Sequence, residues 1–83
     1  SLVALFGWDE AEFLARTEGS AIRRIGHERW LRNIAVALGN GPPTEAALGA
    51  LHARADHSSD LVREHVAWAL DQLGARAQAA TQA

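Results

Sequence analysis

The chain has 83 residues, a formal net charge of −2, and 48% apolar against 22% charged residues. That balance is globular rather than disordered, the length allows one domain, and no apolar run approaches the roughly 20 residues of a membrane span. There is no cysteine, which excludes disulfides, thiolate metal sites and cysteine-ligated iron–sulfur clusters from this chain and fits a reducing compartment. There is also no Met, and we expect the sequence to be a piece of a longer protein.

The first clear helix is expected to open at Asp9, where Asp9-Glu10-Ala11-Glu12 fits a capping box and Trp8 and Phe13 occupy the positions of a hydrophobic staple. It is short, about two turns, with Gly19 as its stop. Ser20 caps a new turn holding Ala21, Ile22 and Ile25, and Gly26 weakens or kinks the helix at that point. From His27 to Leu38 the period is strongly helical: Trp30, Leu31, Ile34, Ala35 and Leu38 make one stripe. Gly39-Asn40-Gly41-Pro42-Pro43 ends it.

Thr44 caps a third helix, with Glu45 in its first turn and Ala47, Leu48, Leu51 and Ala55 as its buried face. Asp56-His57-Ser58-Ser59 reads as a polar loop. Ser58 or Ser59 caps a fourth helix whose stripe is Val62, Val66, Ala69, Leu70 and Leu73, and Gly74 is expected to stop it. Residues 75–83 lack large apolar groups and read as a disordered tail beyond a domain of residues 1–74. Period-2 alternation occurs nowhere, so the fold class is all-α. The two longer helices lie 31–32 residues apart, each after a shorter helix, which is the pattern of stacked HEAT-like helix pairs, about four main helices in all.

Catalytic patterns fail on spacing. His27-Glu28-Arg29-Trp30-Leu31 has Leu31 where a zinc-protease motif needs its second His. Asp56-His57-Ser58-Ser59-Asp60 holds the residue types of a triad, but in one loop, where a cap-and-turn role is the simpler reading. His52, His57 and His65 have no acidic or thiolate cluster around them to make a metal site. The chain itself therefore reads as non-catalytic.

Charge is the more informative signal. All eight basic residues are arginine, and residues 16–32 hold five of them against two glutamates. Arg29 and Arg32, at i and i+3, share a helix face, with Arg23 and Arg24 on the turn before and His27 and Asn33 flanking. One reading is a phosphate-tracking patch; the other is a solvated face on which Arg29 and Arg32 pair with Glu28 or Glu12. Arg63 reads as a structural residue bonded to loop acids. Trp8, Trp30 and Trp68 read as core or interface anchors, Trp68 lying at the margin of its stripe.

The run from Gly19 through Asn40, with Ile22-Arg23-Arg24-Ile25-Gly26-His27-Glu28-Arg29-Trp30-Leu31-Arg32-Asn33 at its centre, resembles the start of the C-terminal region of epoxyqueuosine reductase. Leu61-Val62-Arg63-Glu64-His65-Val66-Ala67-Trp68-Ala69-Leu70 resembles a later helix of that family. The likeness covers about residues 8–74. It implies a cytoplasmic oxidoreductase, often labelled an iron–sulfur protein, that reduces epoxyqueuosine to queuosine in tRNA with cobalamin and two [4Fe-4S] clusters. The reductase and cluster-bearing portions lie upstream in the family and are not in this chain. The resemblance implies a HEAT-like part that helps to hold the tRNA anticodon stem-loop, with Arg23, Arg24, His27, Arg29, Arg32, Asn33 and Asn40 as the matching positions. Asn40 reads equally well as a left-handed helix cap. The alternative function is an interdomain or protein–protein packing module without RNA contact. Duplex DNA binding is disfavoured by the net charge.

Overall fold

The computed structural model describes residues 1–82, with side chains through Ala80. Five α-helices form it: α1 (Leu2–Phe6), α2 (Glu10–Arg16), α3 (Gly26–Gly39), α4 (Glu45–His52) and α5 (Asp60–Gln82), with a 3₁₀ helix at Ala21–Ile25 leading into α3. No strand occurs among the described residues, so the all-α expectation holds. The caps are the ones the side-chain chemistry calls for. Asp9 accepts from the Glu12 N–H, Ser20 from Ile22, Thr44 from Ala47 and Ser59 from Val62, each satisfying a backbone donor with no partner inside its helix.

α1 does not emerge from periodicity. Its five residues, Leu2-Val3-Ala4-Leu5-Phe6, are apolar throughout and too few to show a period. It is held from outside: Phe6 is fully buried, Val3 and Leu5 pack against the core, and Ser1 caps it by accepting from Ala4. α2 ends at Arg16, before Gly19, because the Thr17 hydroxyl donates to the Phe13 carbonyl and closes the turn. The expected staple is indirect. Trp8 stacks on Trp30 at 5.7 Å and Phe13 tilts against Trp30 at 5.3 Å, so Trp30 joins the two.

The core is one cluster: Phe6 from α1, Leu31, Ile34, Ala35 and Leu38 from α3, Ala47 and Leu51 from α4, and Val62, Val66, Ala69 and Leu73 from α5. Trp30, Leu48 and Leu70 are partly buried around it. Ala55, expected on the buried face of the third helix, is exposed, because α4 ends at His52 and residues 53–56 form turns.

α3 and α5 share the most extensive interface and run in the same direction. Near the start of both, the Ser59 hydroxyl donates to Glu28. At the far end of α3, Gly39 lies against Trp68 and Ala69. Further along α5, Arg76 donates to the carbonyls of Gly39 and Gly41, at 3.0 and 2.6 Å. α1 packs on α3, α4 on α5, and α1 touches α4. Two helix pairs therefore stack side by side, which is compatible with the HEAT-like reading.

α3 ends inside the expected run, with Gly39 as its last residue. Two other expectations at helix ends need correction. Asn40 caps α3 with φ −91°, right-handed and not left-handed. α5 passes through Gly74 and continues to Gln82, so residues 75–82, expected as a tail, are helical, and Ala83 lies outside the described residues. An isolated Gly costs a helix only about 1 kcal/mol, and the two Arg76 hydrogen bonds to the end of α3 offset such a cost. The glycine that does break a helix is Gly26, at φ 82° and ψ 159°, a region open essentially to Gly alone. It turns the chain from the 3₁₀ helix into α3.

The loop between α4 and α5 folds around His57. Its Nδ1 accepts from the Ser59 N–H at 3.1 Å, and its carbonyl takes a bond from Arg63, which also pairs with Asp60. Burial first, then the Arg54 guanidinium and His27, push the His57 imidazole below its ordinary value of 6.5; Arg63 adds to this and Glu28 opposes it. The folded chain thus holds the neutral ring, whereas the unfolded chain takes up a proton near pH 6.5. Stability from this residue is complete above pH 6.5 and is lost as pH falls through 6.5 toward the lower folded value.

Two glycines and His57 test these contacts. Gly39→Ala sets a new Cβ 2.9 Å from the Ala69 Cα and 2.6 Å from Trp68 Cζ3; it should cost about 1–3 kcal/mol in urea unfolding. Gly49→Ala in α4, where a Cβ meets nothing within 4 Å, should instead stabilise by about 0.4–1 kcal/mol. His57→Asn keeps an acceptor for the Ser59 N–H and removes the titration. Its melting temperature should fall less than that of the unaltered chain between about pH 7.5 and pH 5.5, the range across which His57 changes protonation on unfolding.

Candidate nucleic-acid interface

The eight arginines separate by what their guanidinium groups touch. Arg54 donates from Nε to the Phe6 carbonyl (2.8 Å) and from Nη2 to the Trp8 carbonyl (2.9 Å), and lies over the Phe6 ring. Burial pushes its guanidinium below the ordinary arginine value, and Asp9 opposes that. It ties the α1–α2 junction to the turn after α4, a role the sequence did not signal, because the acceptors are carbonyls 46 and 48 residues away. Arg76 does the same for the end of α3. Arg63 closes the loop before α5, as the sequence pattern suggests. Arg16 sits over the Trp8 ring at 5.6 Å and pairs with Glu12 at 3.9 Å.

The other four are Arg23, Arg24, Arg29 and Arg32. Arg23 and Arg24 are exposed on the 3₁₀ helix and Arg29 is exposed in the second turn of α3. None of these three has an ion-pair partner among the described residues, where the ion pairs are Arg16–Glu12 and Arg63–Asp60. The acids expected to neutralise this face are engaged elsewhere: Glu28 accepts from Ser59, and Glu12 faces Arg16. Arg32 is half-buried, and its Nε donates to the Asn33 Oδ1 at 2.8 Å. That bond leaves the terminal amino groups of Arg32 and the amide nitrogen of Asn33 as outward donors.

At about 100° per residue, Arg29, Arg32, Asn33, Val36 and Asn40 fall within a stripe of about 100° on α3, opposite Leu31, Ile34, Ala35 and Leu38. The buried stripe therefore orients the polar one. Arg23 and Arg24 precede it across the turn at Gly26. His27 does not join this face. Its Nε2 lies 2.7 Å from the Trp8 carbonyl and its ring tilts against Phe13 at 5.7 Å, so it buttresses the entry to α2. Asn40 is exposed at the far end of the stripe. Arg29, Arg32 and Asn33 thus share one face of α3, with Asn40 at its far end, Arg23 and Arg24 exposed on the preceding 3₁₀ helix, and His27 turned inward. Unpaired planar guanidinium groups in such a row suit phosphate or carboxylate groups.

The chain offers no thiolate to a metal or cluster, and no group of three or more His, Asp or Glu side chains among the described residues is placed to hold an ion. The [4Fe-4S] clusters implied by the resemblance therefore have no thiolate ligand in this chain. No helix of the described residues is long and apolar enough to cross a membrane.

Fold and edge together define an all-helical segment of helix-pair type with an arginine face. The chain is a homologue of part of the epoxyqueuosine reductases. It is 68% identical over 74 residues to the epoxyqueuosine reductase of Xanthomonas campestris pv. campestris, covering 89% of this chain and 21% of that protein. The enzyme of that name from Pseudomonas aeruginosa is 62% identical over 73 residues, 88% of this chain and 20% of the relative. The one from Escherichia coli is 61% identical over 71 residues, 86% of this chain and 18% of the relative. The chain thus spans about one fifth of the length of these relatives. No protein-family model matches it, and no solved structure matches it.

Proposed function

We propose that this chain is the C-terminal helical part of a cytoplasmic epoxyqueuosine reductase, and that it holds the anticodon stem-loop of the substrate tRNA while other parts of the protein carry out the reduction. The observation that carries this reading is the row of Arg23, Arg24 and Arg29, exposed and without ion-pair partners, on a chain homologous to those enzymes. Five of the eight arginines lie in residues 16–32, so the attraction to phosphate is local although the net charge is −2. A row of guanidinium groups along one helix edge reads backbone and shape, as RNA recognition commonly does, rather than base pairs in a duplex. In this reading the chain supplies no catalytic group, and cobalamin and the two [4Fe-4S] clusters are held outside it.

A second reading rests on a different observation. Ile22 and Ile25 are 46% and 40% exposed beside Arg23 and Arg24, and such a pair suits packing against another part of the longer protein, with no RNA contact.

Titration of the 83-residue chain with an anticodon stem-loop RNA at two salt concentrations separates the two. Binding should weaken with salt, and Arg23→Ala, Arg24→Ala and Arg29→Ala should each lower the slope of log K against log salt by roughly 0.7–0.9 for a lost phosphate contact. An unchanged slope in all three, or no RNA binding at all, favours the packing module.

A further inference from the structure

Beside the arginine stripe, α3 and α5 enclose a groove of about 380 Å³ lined by Val36, Glu64, His65 and Trp68. We propose that it receives one unstacked base from a single-stranded RNA loop, with Trp68 as the stacking surface. This rests on the arginine face being a phosphate-binding edge and adds to it how the bases, rather than the phosphates, are held.

Four observations converge on a base. First, Trp68 is a large aromatic side chain that is held in place yet 37% exposed. Its Cζ3 lies where a Cβ on residue 39 would be, 2.6 Å from that position, so the absent side chain of Gly39 lets the indole lie against α3. Trp8 and Trp30, by contrast, spend their faces on each other and on Phe13. A fixed aromatic surface loses little entropy when a planar base stacks on it. Second, His65 Nδ1 lies 2.8 Å from the Leu61 carbonyl. That acceptor requires the proton on Nδ1, which leaves Nε2 as an acceptor in the neutral ring. Third, Glu64 adds a carboxylate that accepts only. A carboxylate in the groove repels phosphate and suits the amino and imino N–H groups on the edge of a base. Fourth, Val36 lies one turn beyond Arg32 on the same face of α3 as Arg29 and Asn33, so a strand whose phosphates track the arginines passes the mouth of the groove. The volume lies at the lower end of small-molecule sites and is ample for one base.

The test uses the same anticodon stem-loop RNA, the unaltered chain, and RNAs carrying a single abasic residue at each loop position in turn. One abasic position should weaken binding roughly 5- to 150-fold, the range of one lost base–aromatic stack, with the salt slope unchanged because no phosphate is lost. Trp68→Leu should weaken the intact RNA by a similar factor and leave the affinity for that abasic RNA unchanged, and Trp68→Phe should retain most of the affinity. Melting curves of both variants check that they fold. Equal affinity for every abasic RNA overturns the proposal without reference to any variant. Binding that depends on Arg23, Arg24 and Arg29 but not on Trp68 overturns the groove alone and leaves the phosphate face standing; a protein surface would then be the occupant of the groove. Failure of the unaltered chain to bind the RNA overturns both.

Discussion

At Gly39 the backbones of the two long helices approach each other closely. A Cβ there would meet the Ala69 Cα and the Trp68 ring, so the backbone of α3 can lie against α5 only because residue 39 has no side chain and residue 69 has a small one. The parallel course of α3 and α5 depends on that approach. Ser59 and Glu28 bridge their beginnings, and Arg76 ties α5 to the carbonyls at the end of α3. With the pair held in this way, Leu31, Ile34 and Leu38 face Val62, Val66, Ala69 and Leu73 within a single core. The same rotation of α3 turns Arg29, Arg32 and Asn33 to the outer edge.

The peripheral elements are held by polar groups that reach across the fold. α1 has five residues and α2 seven, too short to be stable as isolated helices. Their junction is fixed by the Arg54 guanidinium on two carbonyls and by His27 on one of the same pair. Arginine suits this work because its planar fork serves two acceptors at once and its charge survives partial burial. The arginines of this chain therefore do two different jobs. Arg54, Arg63 and Arg76 satisfy backbone carbonyls inside the fold, whereas Arg23, Arg24 and Arg29 are left to solvent. A count of basic residues hides that division.

The chain aligns with about one fifth of the length of its relatives, which are a little over four times as long. The groups that face outward on α3 are placed by a buried stripe one half-turn away, and the half-exposed indole of Trp68 is placed by the helix contact at Gly39. Core packing places these side chains, so the cost of ordering them is met on folding.

Much of this fold was legible in the sequence because its signals are local. The apolar stripes of α3, α4 and α5, the caps at Asp9, Ser20, Thr44 and Ser59, and the absence of strands come from spacing and side-chain chemistry within a few residues. The position of Arg29, Arg32 and Asn33 on one face came from helix geometry, and the kinship with epoxyqueuosine reductases was carried by the run from Gly19 to Asn40. What the sequence left open depends on groups far apart in the chain. α1 has no period and exists because it packs on α3 and α4, with Phe6 buried in the core. Gly39 read as part of the run that ends α3, and does end it, but its close approach to residue 69 was not legible. Gly74 read as a stop as well, and the bonds from Arg76 to Gly39 and Gly41 lie just beyond it. His27 sat in the middle of the arginine motif, and only the tertiary structure turned it toward the Trp8 carbonyl. Local free energy sets which segments can be helices; contacts 20 to 50 residues apart decide which of them persist and which side chains remain free to act.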